Sequence, residues 1–243
     1  MLDQAPRVSL VIPCRNEAAR LPGTLRSLSA YLDDASFTSE IVVVDEASTD
    51  ETVALAKEHG DPRLRVIANR ERHGKGFAVK TGMLQARGEI VFFSDADLSV
   101  PARFIGEFLK EFDGPVDVAF GSRRHPQSVI PTRQPPAREV FGRIFNIGLR
   151  LAGATHFSDT QCGFKAFRHE AAQYVFSRLT LDGFGFDVEA LAIAEALGYR
   201  VKDCPVEWND ASGSKVSPIR DGVVSFVEAV TAARRAKRLF TAK

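Results

Sequence analysis

Short β-branched apolar runs alternating with amphipathic helical stretches predict an α/β fold with a mostly parallel central sheet and helices on both faces. Three observations carry that expectation: the alternation itself, near-continuous apolar strands rather than polar–apolar ones, and polar residues clustered just past the strand ends. Val8–Ile12 is the first buried run, stopped by Pro13. A helix follows with Pro22 in its first turn and Leu21, Leu25, Leu28 and Leu32 on one stripe. Ile41–Val44 is the second strand; it ends in Asp45, and Ser48-Thr49-Asp50-Glu51 reads as a capping box opening a helix through His59. Arg65–Ala68 reads as a third strand, and Gly74-Lys75-Gly76 leads into a helix to about Arg87. Ile90–Phe93 is a fourth strand entering Ser94-Asp95-Ala96-Asp97, and Pro101 starts a helix with Phe104, Ile105, Phe108, Leu109 and Phe112 inward. Val116–Phe120 is a fifth strand, ending in Gly121-Ser122-Arg123.

The second half is less regular. Residues 124–137 hold four prolines and read as a long loop. Residues 139–152 read as a helix, as does Phe186–Leu197, with Gly198 at its C-terminal cap. Tyr199–Trp208 reads as one strand, and 219–240 as a terminal amphipathic helix turning Val223, Phe226, Val227 and Val230 inward.

Composition narrows the class. The chain has 243 residues, 44% hydrophobic and 26% charged, as in an ordinary globular protein. The net charge of +1 argues against a general nucleic-acid binder. That sum hides an asymmetry: residues 1–100 carry 12 basic and 15 acidic groups, and residues 101–243 carry 20 and 16. An anionic substrate or surface facing the second half follows. Cys14, Cys162 and Cys204 are odd in number and far apart, which predicts reduced cytoplasmic thiols rather than disulfides or zinc ligands. No run approaches 18 apolar residues, and MLDQAPR lacks the apolar core of a signal peptide.

In parallel sheets ligands bind beyond the carboxyl ends of the strands. Asn16, Glu17, Asp45, Asp95, Asp97 and Arg123 should therefore converge on one edge. Asp95-Ala96-Asp97 is the sharpest feature: two carboxylates at a strand end can share one hard divalent cation with ligand oxygens, and Mg²⁺ and Mn²⁺ favour such a site. Taken alone, the pair also suits a helix-capping role. Asp45 and Glu17 suit a nucleotide contact or a turn. No GxxxxGK[ST], GxGxxG or GxSxG is present, so P-loop, dinucleotide-binding and hydrolase readings lose support. His73, His125 and His156 fall in loops and read as surface or packing histidines.

In order, VSLVIPCRNE, EIVVVDEASTDET, GKGFAVKTGM and VFFSDADLSVP resemble the nucleotide-sugar half of glycosyltransferase family 2. AFGSRR, DTQCGFKAF and GFGFDVEAL are similar to the polyprenyl-phosphate sugar transferases, especially the dolichyl-phosphate β-glucosyltransferase branch. The resemblance spans roughly residues 7–228 and implies a single GT-A nucleotide-diphospho-sugar transferase domain, with 1–123 the donor half and 124–243 the acceptor half. It implies that Pro13, Arg15, Asn16 and Glu17 line the nucleotide pocket, that Asp45 meets the base and that Lys75 lies near the nucleotide. Asp95 and Asp97 would be the metal-binding DxD pair for Mg²⁺ or Mn²⁺, Asp97 the firmer ligand. Arg123, Lys215 and Arg220 would meet phosphate groups, and Asp159, Gln161 and Lys165 would sit on the acceptor side. The implied activity is inverting transfer of a hexose, glucose from UDP-glucose, to a dolichyl or polyprenyl phosphate. The alternatives are GDP-mannose as donor, a soluble hydroxyl acceptor with Asp187 or Glu189 as base, and a nucleotide-binding module without catalysis. Eukaryotic members of the branch carry an N-terminal anchor and many bacterial relatives carry C-terminal membrane helices, and this sequence has neither. The expectation is a cytoplasmic protein in peripheral contact with an anionic membrane, through residues 138–150 and the five basic groups of 234–243.

Overall fold

The structure, a computed structural model, describes residues 5–132, 134–210 and 220–240, the side chains of residues 220 and 221 excepted. In chain order the elements are β1 (Val8–Cys14), α1 (Leu21–Asp33), β2 (Ser39–Glu46), α2 (Thr52–Glu58), β3 (Leu64–Asn69), α3 (Lys75–Gln85), β4 (Ile90–Ser94), α4 (Phe104–Glu111) and β5 (Val118–Ser122). Then come β6 (Val129–Thr132), α5 (Pro136–Leu151), β7 (Phe164–Arg168), α6 (His169–Arg178), α7 (Phe186–Ala196), β8 (Val201–Pro205), β9 (Glu207–Asn209) and α8 (Arg220–Phe240).

Seven strands form one sheet in the order β3-β2-β1-β4-β7-β5-β8, and β6 pairs with β9 apart from it. The strands of the first half run parallel. The chain moves outward from β1 through β2 to β3, then returns to place β4 on the other side of β1. That reversal opens a crevice beyond the carboxyl ends of β1 and β4, where ligands bind in such sheets. β7 enters antiparallel between β4 and β5, which makes the sheet mostly parallel rather than wholly so.

Strands β1, β2, β4 and β5 are buried almost throughout because both faces of the sheet are covered there. Val11, Phe93 and Phe120 face one layer with α3, α6, α7 and α8. Leu10, Ile12 and Phe92 face the other with the leucine stripe of α1, Ala56 of α2, and Ile105 and Phe108 of α4. Phe92, Phe108 and Phe164 pack ring to ring at centroid distances of 4.9–6.4 Å.

The structure corrects the sequence reading at five places. Residues 129–132 within the expected loop form β6. Tyr199–Trp208 divides into β8 and β9. β7 and α6, which no sequence pattern announced, fill residues 164–178. Helix α2 begins at Thr52, and its first turn is held by the Asp50 carboxylate accepting the Thr52 N–H rather than by a Ser48–Glu51 box. In α8 the inward face is Ala229, Ala232, Ala233 and Ala236, with Phe226 and Val230 half-buried against it; Val223 and Val227 are exposed.

Candidate active site

At the crevice β1 runs into Pro13, Cys14, Arg15, Asn16 and Glu17, all lining a cavity of about 610 Å³ with Arg20, Glu46, Lys75, Asp95, Asp97 and Phe184 among its other walls. Asn16 adopts a left-handed conformation, φ 53°, which asparagine tolerates better than bulkier residues. Its N–H donates to Ser48 Oγ at 2.8 Å and its side-chain oxygen accepts the Thr49 N–H at 2.8 Å. The β1 and β2 loops are thereby tied together. Glu17 receives both Arg20 guanidinium donors at 2.6 Å.

Asp45 does not open onto this cavity. It is 2% exposed, and its carboxylate accepts the N–H and hydroxyl of Ser48, with the Cys14 thiol also at hydrogen-bond reach. Asp45 thus braces the turn behind the cavity through Ser48. Glu46, one residue on, lines the cavity instead and accepts the N–H groups of His73 and Gly74 and the Asn69 amide. Strand alternation could have singled out Glu46, since neighbouring strand residues point to opposite faces.

The Gly74-Lys75-Gly76 turn is shaped by close approach. A Cβ at Gly74 would strike the Asp182 carbonyl oxygen, and one at Gly76 the Leu181 carbonyl oxygen. The first N–H groups of α3, from Gly76 and Phe77, donate to the Asp182 carbonyl. They are not the free anion cradle of a P-loop. What the turn delivers to the cavity is the Lys75 side chain, whose ammonium lies 2.6 Å from Asp95 Oδ1.

Asp95 and Asp97 share the cavity. Asp97 Oδ1 accepts the N–H and hydroxyl of Ser99, while Oδ2 is 4.0 Å from Arg20. Burial raises the Asp97 pKa, and the Asp95 charge raises it further. Two carboxylates that penalise each other's charge form an oxygen donor set suited to a divalent cation shared with ligand oxygens. Among the described residues no group of three or more His, Cys, Asp or Glu is placed to hold a metal, so an all-protein cage does not compete with this arrangement. Gly163 makes the Asp95 position possible, because a Cβ there would overlap its carboxylate; the Asp95 N–H also donates to the Gly163 carbonyl at 3.0 Å. Sequence reasoning missed Gly163, although it lies inside DTQCGFK.

The charged residues of that block are scaffold. Asp159 is fully buried and receives the Arg123 N–H, Nε and Nη2 at 2.7–2.9 Å and the Gln161 N–H. Burial alone would raise its pKa, yet the Arg123 charge and these hydrogen bonds hold it down at about 2. Lys165 is fully buried, with its ammonium on Asp187 and on the Cys162 carbonyl. Neither Asp159 nor Lys165 lines either of the two cavities, at the crevice or beside Arg123. The two candidate bases are equally engaged. Asp187 is locked to Lys165, and Glu189 accepts from Thr180, Leu181 and Arg235. Gln161 is half-buried, and its side-chain nitrogen is buried without a partner among the described residues.

A second cavity, about 360 Å³, is lined by Arg123, Arg124, Arg143, Gln134, Asn146 and Trp208 among others. Arg123 also lies 5.4 Å from the Trp208 ring centroid. Sequence reasoning found Arg123 but missed Arg124 as a site residue and put Arg143 elsewhere. Lys215 lies outside the described residues, and so does the Arg220 side chain.

Comparison with known sequences and folds defines the class. The profile of glycosyl transferase family 2 matches residues 9–176, and the chain belongs to that family. Among similar proteins are a dolichyl-phosphate beta-glucosyltransferase of Drosophila melanogaster, 34% identical over 238 residues covering 89% of this chain and 72% of the relative, and its Homo sapiens counterpart, 31% identical over 87% and 70%. The glycosyltransferase AglD of Haloferax volcanii is 33% identical over 88% of this chain and 35% of the relative. Glucosyl-3-phosphoglycerate synthase of Mycobacterium tuberculosis, solved with Mn²⁺, UDP-glucose and phosphoglyceric acid, superposes with a TM-score of 0.70 at 19% identity, covering 96% of this chain and 80% of that one. The fold is the GT-A fold expected from the sequence.

Proposed function

We propose that the chain transfers glucose from UDP-glucose to the phosphate of a dolichyl or polyprenyl lipid, with inversion at the anomeric carbon. The observation that carries this reading is the pair of unlike cavities along one sheet edge: an acid-bearing one at Asp95 and Asp97, and an arginine-lined one at Arg123, Arg124 and Arg143. The first suits a metal-bound diphosphate and the second a phosphate monoester. The names of the relatives support the donor sugar and the lipid acceptor. Asp95 and Asp97 would hold Mg²⁺ or Mn²⁺, which neutralises charge developing on the leaving diphosphate.

The other steps rest on the chain's own residues. Pro13, Arg15, Asn16 and Glu17 wall the nucleotide side, and Arg15 Nε is buried without a partner among the described residues, as suits a donor aimed at a ligand oxygen. Asp159 holds Arg123 in a fixed bidentate orientation toward the acceptor phosphate. A phosphate monoester is largely dianionic near neutral pH, since its second pKa is about 6. Such a nucleophile needs no general base, which agrees with the engaged state of Asp187 and Glu189. Lys215 and Arg220 would add positive charge from the segment before and at the start of α8.

A lipid acceptor requires an approach to the bilayer, and we assign this to α5 with the adjoining part of α8. Val140 (56% exposed), Ile144 (63%), Ile147 and Leu151 (86%) form one apolar row along α5, and Val223, Val224 and Val227 stand exposed on α8. The helices are joined by Phe145 and Phe226, 5.8 Å apart edge to face. Arg143 and Arg150 flank the row, a composition suited to an anionic interface. Some side chains of the two segments expected to meet the membrane are engaged within the fold. Leu149 is buried and Phe145 packs inward. Arg234 and Lys237 donate to the Ala152 and Gly153 carbonyls at the C-terminal end of α5, and Arg235 pairs with Glu189. Among the described residues no helix is long and apolar enough to cross a membrane. The test is a panel of UDP- and GDP-sugars offered with polyprenyl phosphate, with product identity and anomeric configuration read by NMR. A β-linked glucosyl lipid phosphate from UDP-glucose is expected; a product from GDP-mannose alone overturns the donor.

A further inference from the structure

One carboxylate of the DxD pair already has a cation. The Lys75 ammonium touches Asp95 Oδ1, and the charges of Asp187 and Asp97 also act on it. Its backbone is pinned on both sides, because Gly74 and Gly76 press against the carbonyls of residues 181–183. The side chain can swing within the cavity, where its other neighbours include the Phe184 ring, 6.0 Å away, and the carboxylate of Asp97. Arg20 is already bound by Glu17 and stands off Asp97 at 4.0 Å. Of the ion pairs that Lys75 makes with Asp95 and Arg20 with Asp97, that of Lys75 is the shorter. A divalent ion held by Asp95 and Asp97 would compete with Lys75 for the Asp95 carboxylate.

We propose that Lys75 is an exchangeable counter-ion for the metal site: it neutralises Asp95 until metal and nucleotide arrive, then passes Asp95 to the metal and takes a diphosphate oxygen in return. Metal alone then binds weakly, because displacement costs the ammonium its direct contact with Asp95. Metal with a nucleoside diphosphate binds well, and by linkage each raises the affinity of the other. The proposal rests on the metal reading of Asp95 and Asp97, and the experiment separates the two. Mn²⁺ is titrated into the full chain, with and without UDP, and free Mn²⁺ is followed by electron paramagnetic resonance in the wild type, Lys75→Met and Lys75→Arg. Removing a unit charge at contact distance should tighten nucleotide-free Mn²⁺ binding roughly tenfold in Lys75→Met, with Lys75→Arg close to the wild type. Equal or weaker nucleotide-free binding in Lys75→Met, while the wild type binds Mn²⁺ with UDP, overturns the counter-ion role and spares the metal site. No Mn²⁺ binding by the wild type even with UDP removes both. Should Lys75→Met not fold, pulsed acylation of the wild type decides: Lys75 labelling rises with Mn²⁺ alone and falls again with UDP, whereas unchanged labelling contradicts the exchange.

Discussion

The end of β4 and the segment entering β7 lie against each other and use charge in opposite ways. At the end of β4 two like charges, Asp95 and Asp97, stand half-buried in a cavity with incomplete compensation. In the segment entering β7, Asp159 and Lys165 are fully buried, and each is matched by an opposite charge, Arg123 and Asp187. Like charges held together define a place that needs a ligand. Opposite charges buried together define a frame that holds the place open. The lesson is that complete burial against an opposite charge, as at Asp159 and Lys165, marks the frame, whereas carboxylates that open onto a cavity, as at Asp95 and Asp97, mark the candidate site.

The largest expected effect breaks the first region. Asp97→Asn should lower turnover by on the order of 10³-fold, a loss of about 4 kcal/mol of transition-state stabilisation. Its urea midpoint should stay near the wild type, because the carboxylate faces a cavity. An equal loss of stability would make Asp97 a scaffold residue and erase the contrast. The second region should fail in the reverse sense. Lys165→Met leaves the Asp187 carboxyl buried without its cation and should cost about 3–5 kcal/mol in chemical denaturation. Adding Asp187→Leu should recover most of that loss, since an apolar pair replaces a buried ion pair at little net cost. No recovery in the double variant would mean that the pair does more than frame the site.

Asp159 sharpens the comparison through pH. Its folded pKa of about 2 lies below the ordinary 3.8, so the unfolded chain binds the proton more readily. The stabilisation is fully present above about pH 4 and is lost as pH falls toward 2, on the order of 2 kcal/mol. Denaturation of the wild type against Asp159→Asn between pH 5 and 2.5 measures it; parallel curves would exclude the proposed linkage. The smallest effect concerns α5. Ile144→Ser with Leu151→Ser should weaken flotation with anionic vesicles about fivefold, from roughly 1 kcal/mol of lost apolar burial, and should leave stability unchanged because both side chains are exposed. Unaltered flotation would move the membrane contact elsewhere.

These regions also differ in how much of them the sequence reveals. The first half obeys simple periods: β1 to β4 alternate with α1 to α3, and acids just past the strand ends mark the crevice. Asp95 and Asp97 were legible because strand, turn and paired carboxylates are local. The partners of Asp159 and Lys165 lie 36 and 22 residues away, so their burial was invisible until the chain folded. β7 escaped notice because Lys165 breaks its apolar run, FKAFR, whereas β4 and β5, of the same length, carry no charge. In α8 the bulky valines drew the eye, yet the helix packs closely through Ala229, Ala233 and Ala236, where small side chains let the backbones approach. Gly163 carried no local signal either, because its role is the space it leaves for Asp95.

The most direct measurement of the central claim is transfer of radiolabelled glucose from UDP-glucose to polyprenyl phosphate, read as label extracted into organic solvent. The wild type with Mg²⁺ or Mn²⁺ should carry label into the organic phase; excess EDTA or Asp97→Asn should abolish it. Label that stays in the aqueous phase with lipid phosphate present, or full transfer in EDTA, would contradict the account.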